Sequence, residues 1–518
     1  MEIKNVSFQS KLKNDYYLTS RIPQIFLINP VLKFFVEMEE KGIQASQWIK
    51  DFSDEEITIN EKIKAKKEEL YYYFNYYEFL KDSHYFGKGI QDKLIKGKYT
   101  AGMIKHNFVR CEHILFEVTD ACQLKCKYCG YGDLYVGYDK RTSKNLSIKT
   151  AKNLLDYYHD LRESELNYKI YKKICIGFYG GEPLLNFPFI TEMVNYVKSK
   201  KWKNSRIKFS MTSNGVLLDR YMDFLVKNNF LLMISLDGNE EHNGYRVFKN
   251  GKPSFKTVFR NIVKLKEKYP KYFERNTGFI SVSHKKNSWK EVETFFKQTF
   301  NRTPVFDDLT MVGVNHDKMN EFYEIYKKKH SDLKPNEINK YKKYPSKMAG
   351  NPFRLYIKRL INLHTNYSIS KYSQLFRSDE KTSVSGTCDP FSNRIFLTVN
   401  GKLLPCERIP QKYFLAEVDE NGVRIDFQKV ANKYNKWFEK INKQCGICYN
   451  KRFCNQCIFH LNLEDPSCKC DQYKNFDSHK KDLEKDLSLI EEAPLLYTNI
   501  LNEAKLAERK YYEREKKS

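Results

Sequence analysis

The chain has 518 residues, which is long for one compact unit, and we expect two or three domains. Its 90 lysines and arginines outnumber its 64 aspartates and glutamates, and the net charge of +26 would favour an anionic partner such as nucleic acid, an acidic peptide or a membrane surface. No stretch has the apolar core of a signal peptide or the roughly 18 apolar residues of a membrane span, so we expect a soluble cytoplasmic protein with no membrane partner.

Residues 1–105 are predicted to form a small separate module. Residues 15–30 read as a short β-hairpin of β-branched and aromatic residues with a proline at the turn. A helix over 31–42 follows an Asn-Pro pair and ends at a glycine. A further helix is predicted around 60–80, so the module is winged-helix-like.

Apolar strands alternate with helical stretches over residues 106–312, which is typical of βα units and a parallel sheet. Helices such as 189–200 and 254–269 repeat apolar residues at helical spacing and should cover the outside of the sheet. The six predicted strands are 113–118, 173–179, 206–212, 231–236, 277–282 and one between Pro304 and Val312. Six strands imply an α/β fold, a partial (β/α)6 barrel.

Three more segments complete the predicted organisation. Residues 313–380 form a polar, lysine-rich linker or insertion. A cysteine-dense domain follows over 381–475. Residues 476–518 are predicted to be a C-terminal helix that runs into a charged tail.

The sequence ACQLKCKYCGYGDLY at 121–135 places three cysteines, Cys122, Cys126 and Cys129, directly after the first barrel strand. The chain has 13 cysteines in short spacings, which in a reducing compartment indicates metal ligation rather than disulfides. Thiolates bind iron-sulfur clusters and zinc strongly, and three of them leave one metal corner open for a reacting ligand. The alternative is a structural zinc site completed by a distant residue.

This Cys-x3-Cys-x2-Cys spacing, with Tyr128 just before the last cysteine, resembles the signature of the radical S-adenosylmethionine (SAM) superfamily. The resemblance implies that Cys122, Cys126 and Cys129 hold a four-iron, four-sulfur cluster whose fourth iron binds the amino and carboxylate groups of SAM. Reduction of that cluster would split SAM into methionine and a deoxyadenosyl radical that takes a hydrogen atom from the substrate.

Polar motifs after the next three strands would, by the same resemblance, contact SAM. Glu182 of the GGEP motif would accept from the ammonium group, and Arg246 would meet the carboxylate. Each motif alone could be a plain turn or a helix cap, but their order after successive strands favours a shared site. The predicted SAM-binding residues are Tyr128, Gly180, Gly181, Glu182, Pro183, Ser213, Asn214, Ser235, Asp237 and Arg246.

A second group of cysteines resembles the SPASM extension of radical SAM enzymes, which holds two auxiliary iron-sulfur clusters. The group consists of Cys388, Cys406, Cys445, Cys448, Cys454, Cys457, Cys468 and Cys470. By the resemblance, Cys388, Cys406 and Cys457 would hold the first cluster, with either a borrowed fourth thiolate or an open iron. The others would hold a second four-iron, four-sulfur cluster whose last ligand is Cys468 or Cys470. Structural zinc is the alternative, because four thiolates suit it equally well.

Glu407 directly follows Cys406, where sulfatase-maturing relatives in this family carry an acidic residue that acts as a base. A carboxylate beside an anionic cluster should have a raised pKa and could accept a proton. The alternative is a solvated surface glutamate. Cys111 and Cys175 have no motif partners and no assigned role.

SPASM-bearing radical SAM enzymes mostly modify peptides, so the leading hypothesis is an oxidoreductase that matures a ribosomally made precursor peptide. The leader would add as a strand to the hairpin near residues 15–28, as in winged-helix elements that recognise such precursors. A thioether, carbon-carbon or ether crosslink would form in the barrel, with the auxiliary clusters accepting the surplus electron. An electron donor such as flavodoxin or ferredoxin would be a further partner.

Two other functions remain open at this point. One is a sulfatase-maturing enzyme that oxidises a cysteine or serine to formylglycine. The other is an RNA-binding or RNA-modifying protein, whose affinity would fall steeply with salt. The basic residues form no dedicated arm, so nucleic acid is the less favoured partner.

Overall fold

The structure is a computed structural model that describes only part of the chain. It describes residues 6–9, 14–18, 25–59, 63–82, 99–165, 172–203, 205–311, 313–327, 387–449, 454, 456–465, 468–470 and 472–492. Most of the predicted insertion at 313–380, the tail beyond residue 492 and Pro23 at the predicted turn therefore lie outside the described residues.

The N-terminal segment combines a three-stranded antiparallel sheet with helices and a second hairpin. The strand order in the sheet is β1-β2-β3. Asn29 starts the first helix, because its side-chain oxygen accepts from the Val31 amide at 2.8 Å, and Pro30 occupies the first turn. The elements are β1 (Val6–Gln9), β2 (Asp15–Leu18), β3 (Ile25–Leu27), α1 (Pro30–Glu40), α2 (Ala45–Asp51), β4 (Glu56–Ile59), β5 (Ile63–Lys66) and α3 (Lys67–Asp82).

The predicted hairpin near residues 15–30 is confirmed as the antiparallel pair β2 and β3. The predicted helix at 60–80 is wrong in its first part, because Ile63–Lys66 is strand β5 and the helix begins only at Lys67. The reason is cross-strand packing: Ile59 lies opposite Ile63, and Ile57 lies opposite Ala65. On β5 these apolar side chains alternate with lysines at the two-residue period of a strand.

All six predicted barrel strands are confirmed, and each lies parallel to the next in chain order. They are β6 (His113–Thr119), β7 (Lys172–Gly180), β8 (Ser205–Ser213), β9 (Leu231–Ser235), β10 (Thr277–Ser283) and β11 (Val305–Asp308). The helices are α4 (Ala101–Arg110), α5 (Ile148–Glu165), α6 (Phe187–Ser199), α7 (Leu218–Lys227), α8 (Phe255–Lys268), α9 (Pro270–Asn276), α10 (Trp289–Phe300) and α11 (Met319–Ile325).

The cysteine-dense segment continues the barrel sheet, which the sequence did not predict. Strand β12 (Ile395–Leu397) pairs in parallel with β6, and three antiparallel strands extend the sheet to ten. Gly401 has a φ of +77°, and a Cβ there would lie 2.2 Å from the Val418 carbonyl oxygen, so this turn requires glycine. The remaining elements are β13 (Lys402–Leu404), β14 (Ala416–Asp419), β15 (Gly422–Arg424), α12 (Phe427–Gly446) and α13 (Phe476–Glu492).

One apolar core spans the barrel and the cysteine-dense segment. Helix α4 crosses the predicted domain boundary at residue 105, and its Ile104 and Phe108 are buried in this core. The Phe108 ring lies 5.3 Å from the ring of Phe391. The barrel and the C-terminal segment therefore pack as one body. Within the described residues, no helix is both long enough and apolar enough to span a membrane.

Candidate functional site

The three motif cysteines open into a cavity of about 410 Å³ at the carboxyl ends of the parallel strands. The predicted residues in its wall are Cys122, Cys126, Tyr128, Cys129, Gly180, Gly181, Ser213, Asn214, Ser235, Arg246 and Glu407. The cysteine loop, the ends of β7, β8 and β9 and the C-terminal segment thus meet in one place. Three predicted residues, Glu182, Pro183 and Asp237, are buried behind the wall.

The cysteine loop is held by backbone hydrogen bonds to the segment after β9. The Lys125 amide donates to the Val247 carbonyl at 2.7 Å, and the Lys127 amide donates to the Tyr245 carbonyl at 3.0 Å. After the end of β8, the side-chain nitrogen Nδ2 of Asn214 donates to the Cys122 sulfur at 3.6 Å. These contacts fix the backbone on which the three thiols are mounted.

Burial raises the pKa of two of the motif thiols, Cys122 and Cys126. Burial raises the pKa of Cys126 to about 12; Arg246 opposes the rise, while Cys129 and Cys122 add to it. Such thiols ionise readily only when a cationic group binds between them. Among the described residues, no three histidine, cysteine or acidic side chains are grouped closely enough to hold a single metal ion.

The GGEP glycines let the loop after β7 lie directly on the backbone that leads to Cys122. A Cβ on Gly180 would lie 2.2 Å from the Thr119 carbonyl oxygen, and a Cβ on Gly181 would lie 2.1 Å from that of Ala121. The Gly181 and Glu182 amides donate to these same two carbonyl oxygens, each at 2.8 Å. A side chain at either glycine would therefore displace the cysteine loop.

Glu182 is fully buried and points to the end of β8. Its carboxylate accepts from the Asn214 amide at 2.7 Å and from the Ser213 hydroxyl at 2.9 Å. Burial raises the pKa of Glu182 to about 7, although these donors oppose the rise. The residue positions Ser213 and Asn214 in the wall, and its predicted contact with the SAM ammonium group stays a prediction.

Asp237 is the centre of a buried polar cluster that the sequence did not predict. One carboxylate oxygen accepts from the Tyr128 hydroxyl and from Arg246 Nε at 3.1 Å, and His284 Nε2 lies 3.4 Å away. The other oxygen accepts from the Val282 amide at 3.0 Å. Burial opposes ionisation, but Arg246 and His284 outweigh it and lower the pKa of Asp237. Asp237 therefore positions Tyr128 and Arg246 from behind the wall.

Glu407 lies in the wall and forms an ion pair with Arg394 Nη1. The prediction of a raised pKa is wrong. Burial does favour the neutral form, but the nearby Arg394 guanidinium outweighs burial and lowers the pKa of Glu407. The side chain is also largely buried, which contradicts a solvated surface glutamate. Glu407 is thus a charged carboxylate that faces the cavity.

Several residues of the cavity wall were missed by the sequence reasoning. They are Tyr131, Tyr138, Arg141, Tyr179, Asp307, Asp308, Arg408 and His460. Asp307 and Asp308 end the sixth parallel strand. Functional residues gather at the carboxyl ends of parallel strands, and the position that singled out GGEP could have singled out these two aspartates as well. His460 comes from a distant segment and carries no sequence signal for this site.

Four of the cysteines predicted to hold the second auxiliary cluster, here called the second auxiliary set, are near one another: Cys445, Cys448, Cys454 and Cys470. Burial raises the pKa of Cys445 to about 12, and the neighbouring thiols of Cys454, Cys448 and Cys470 raise it further. Cys468 is buried in the same apolar core as Cys445, and Cys470 packs against that core. Cys445, Cys448, Cys454 and Cys470 therefore lie close enough for their charges to interact.

The first auxiliary set consists of Cys388, Cys406 and Cys457, the cysteines predicted to hold the first auxiliary cluster, and it is only partly assembled. Burial raises the pKa of Cys457 to about 11, and Cys388 is among the groups that add to the rise. Burial raises the pKa of Cys406 to about 12, and the nearby charges are those of Glu407 and Arg408 in the cavity wall and of Arg394. The structure thus brings Cys388 and Cys457 together and places Cys406 towards the cavity.

Comparison with known proteins adds independent information. The family model of the radical SAM superfamily matches residues 116–298. An uncharacterised protein of Methanocaldococcus jannaschii is 30% identical over 250 residues, which cover 48% of this chain and 74% of that protein. A cysteine-type anaerobic sulfatase-maturating enzyme of Clostridium perfringens is 25% identical over 347 residues, 65% of this chain and 85% of that enzyme. The radical SAM cyclopropyl synthase TigE of Paramaledivibacter caminithermalis is 28% identical over 156 residues, 29% of this chain and 32% of that enzyme.

Proposed function

The chain belongs to the radical SAM superfamily, and on that basis we propose that it is a peptide maturase that installs a thioether, carbon-carbon or ether crosslink in a ribosomally made precursor peptide. The observation that carries the proposal is the shared cavity. Its wall has three motif cysteines on one side and the carboxylate of Glu407, next to Cys406, on another.

Cys122, Cys126 and Cys129 would hold a four-iron, four-sulfur cluster, with SAM between them and the ends of β7, β8 and β9. When bound, cluster and SAM supply a deoxyadenosyl radical that takes a hydrogen atom from a carbon of the substrate. The protein contributes placement and the exclusion of water. Arg246 Nε is held by Asp237, so its terminal nitrogens remain for the SAM carboxylate.

The core of the precursor would lie between the cysteine loop and the wall that carries Glu407. Crosslinking removes one hydrogen atom from carbon, and then one proton and one electron as the new bond forms. Glu407 is ionised by virtue of Arg394 and would take the proton. The C-terminal cysteines would hold auxiliary clusters able to accept the electron. A flavodoxin or ferredoxin would be the electron donor for the cluster at Cys122, Cys126 and Cys129.

The leader of the precursor would dock on the N-terminal sheet. In the described residues, β1 and β3 are the two outer strands of this sheet, and β1 lies near helix α13. Strand β3 is therefore the edge that we assign to the leader, because an added strand satisfies unpaired backbone groups. Removal of residues 1–82, which leaves helix α4 in the barrel core, should impair precursor turnover and leave SAM cleavage without substrate intact.

A second candidate function is sulfatase maturation, in which one cysteine or serine becomes formylglycine. The specific observation in its favour is Glu407 beside Cys406 in the cavity wall, together with the similarity to the Clostridium perfringens enzyme over 85% of its length. The two functions differ in product. A crosslinked peptide has lost two hydrogens and gains an internal bond, whereas formylglycine carries an aldehyde that reacts with hydrazides.

The test uses the full chain with its clusters reconstituted under anaerobic conditions. Candidate precursors are the peptides encoded by short reading frames next to the gene, and a sulfatase peptide serves as the competing substrate. Mass spectrometry identifies which peptide changes, and deoxyadenosine is quantified in parallel. The proposal is contradicted if only the sulfatase peptide is modified.

The Glu407→Gln variant asks whether this carboxylate acts in product formation. We expect the ratio of product to deoxyadenosine to fall at least about tenfold, because hydrogen abstraction persists without the proton acceptor. Glu417→Gln, at an exposed glutamate, is the matched control. If product and deoxyadenosine fall by the same factor, Glu407 has only a structural role and does not accept the proton.

A further inference from the structure

Arg141 differs from the other arginines in the cavity wall. Arg246 is paired with Asp237 at 3.1 Å, and Arg408 is paired with Asp307 at 3.4 Å. Arg141 forms no ion pair with any described carboxylate, and its buried Nε has no hydrogen-bond partner in that part of the chain. The wall therefore contains a cation that has not been neutralised by the protein.

Tyr131 supports this guanidinium and has an unsatisfied group of its own. The Arg141 guanidinium carbon lies 4.2 Å from the centre of the Tyr131 ring, which packs edge-on against Tyr138 at 5.3 Å. The Tyr131 hydroxyl is buried and has no hydrogen-bond partner among the described residues. Buried donors are normally satisfied, so these two unsatisfied donors are available to an acceptor that binds in the cavity.

The electrostatic neighbours of Arg141 locate the site. Burial raises the pKa of Cys122, and Arg141 is one of the groups that oppose this rise, so its charge lies near the cysteine loop. The carboxyl group of Glu117 lies near Arg141. Its Oε2 accepts a hydrogen bond from the Val399 amide at 3.0 Å. Glu117 is therefore committed to the backbone, and Arg141 faces the cavity beside the predicted cluster.

We propose that Arg141 and Tyr131 form a carboxylate-binding subsite in the cavity wall. A planar guanidinium presents two parallel donors that match the two oxygens of a carboxylate, and a phenol hydroxyl adds a third donor. Two sources can supply this group: the carboxylate of SAM, which Arg141 would then share with Arg246, and an acidic side chain of the bound peptide. The inference rests on the proposed function, under which both molecules would occupy this cavity.

The first arm of the test asks whether SAM supplies the carboxylate that binds to Arg141, and it measures the binding of two SAM analogues. S-adenosylhomocysteine carries the amino-acid carboxylate, and methylthioadenosine lacks it. With reconstituted full-length protein, we expect Arg141→Gln to weaken S-adenosylhomocysteine binding about tenfold and to leave methylthioadenosine binding unchanged. Lys140→Gln, at the exposed neighbouring residue, should change neither dissociation constant.

The second arm asks whether the bound peptide supplies this carboxylate from an acidic side chain, and it measures which peptides bind. Random peptides are bound to the protein loaded with S-adenosylhomocysteine, eluted and sequenced. We expect peptides bound to the wild type to be enriched in aspartate or glutamate at one position, and Arg141→Gln to abolish that enrichment. Lys140→Gln should retain it.

The two arms together decide the inference. A change in either arm that is specific to Arg141→Gln supports the subsite and names the source of the carboxylate. Equal behaviour of the wild type and Arg141→Gln in both arms overturns it, provided that methylthioadenosine binding shows the variant to be folded. Absence of SAM cleavage by the wild type would instead contradict the proposed function.

Discussion

The hydroxyl of Tyr128 donates a hydrogen bond to the buried carboxylate of Asp237. Tyr128 precedes the last cysteine of the motif loop, and Asp237 follows strand β9, so this bond ties the loop to the barrel. The same carboxylate binds Arg246 Nε, which faces the cavity. One buried anion thus sets the position of both the loop and the cavity arginine.

Replacing Asp237 by asparagine should destabilise the protein. The substitution leaves Arg246 buried without its counter-ion and sets an amide donor against the Tyr128 and Arg246 donors, so we expect the free energy of unfolding to fall by roughly 3 kcal/mol. Urea unfolding of the full chain measures this change. Glu240→Gln on the same turn, with its exposed ion pair to Lys256, is the control. Equal unfolding midpoints for the two variants would contradict the role of Asp237.

Gly181→Ala should reduce cluster binding at the motif loop. The new methyl group would lie 2.1 Å from the Ala121 carbonyl oxygen, so the backbone that carries Cys122 has to move. We expect reconstituted protein to lose about four irons, those of one cluster. Gly102→Ala is the control, because a Cβ there meets nothing closer than 4.0 Å and alanine favours the helix. Full iron content in Gly181→Ala would show that the loop tolerates the shift.

Glu182 should make stability depend on pH. Its pKa is raised by burial from 4.5 to about 7, so the native state binds the proton more tightly than the unfolded chain does. The associated stability, roughly 3 kcal/mol, is present below about pH 4.5 and is lost as the pH rises through about 7. Glu117 shifts in the same direction. The difference in pH slope between the wild type and Glu182→Gln in urea unfolding isolates Glu182, and identical slopes would refute the assignment.

Cys470 and Cys468 should behave differently on substitution. Cys470 is one of the three thiols whose charges raise the pKa of Cys445, and Cys468 is not among those three. Cys470→Ala should therefore lower the iron content by about four of about twelve irons, and Cys468→Ala should leave it unchanged. Iron and sulfide analysis of anaerobically reconstituted variants measures both. Iron loss in Cys468→Ala alone would reverse the assignment.

The sequence predicted the barrel well because buried parallel strands are short apolar runs, and all six were found. It also predicted the motif cysteines, since ligand spacing is local. It failed at β5, where cross-strand pairing with β4 overrode the helical interpretation of a lysine-rich stretch. It could not foresee that β12 pairs with β6, because that contact joins residues far apart in the chain.

The candidate site shows the same limit for side chains. GGEP and Asn214 were found because they follow strands, but the inward direction of Glu182 depends on its neighbours. The lowered pKa of Glu407 depends on Arg394, which lies thirteen positions earlier and has no motif of its own. His284 and Arg141 were missed for that reason too: their partners come together only in the folded chain.

The most direct measurement of the central claim is deoxyadenosine formation by the full chain. Protein reconstituted with iron and sulfide under anaerobic conditions is incubated with SAM and dithionite, alongside Cys126→Ala and the matched thiol control Cys175→Ser. We predict deoxyadenosine from the wild type and from Cys175→Ser, and none from Cys126→Ala. Absence of deoxyadenosine from the wild type, or equal amounts from wild type and Cys126→Ala, would contradict radical SAM chemistry at this cavity.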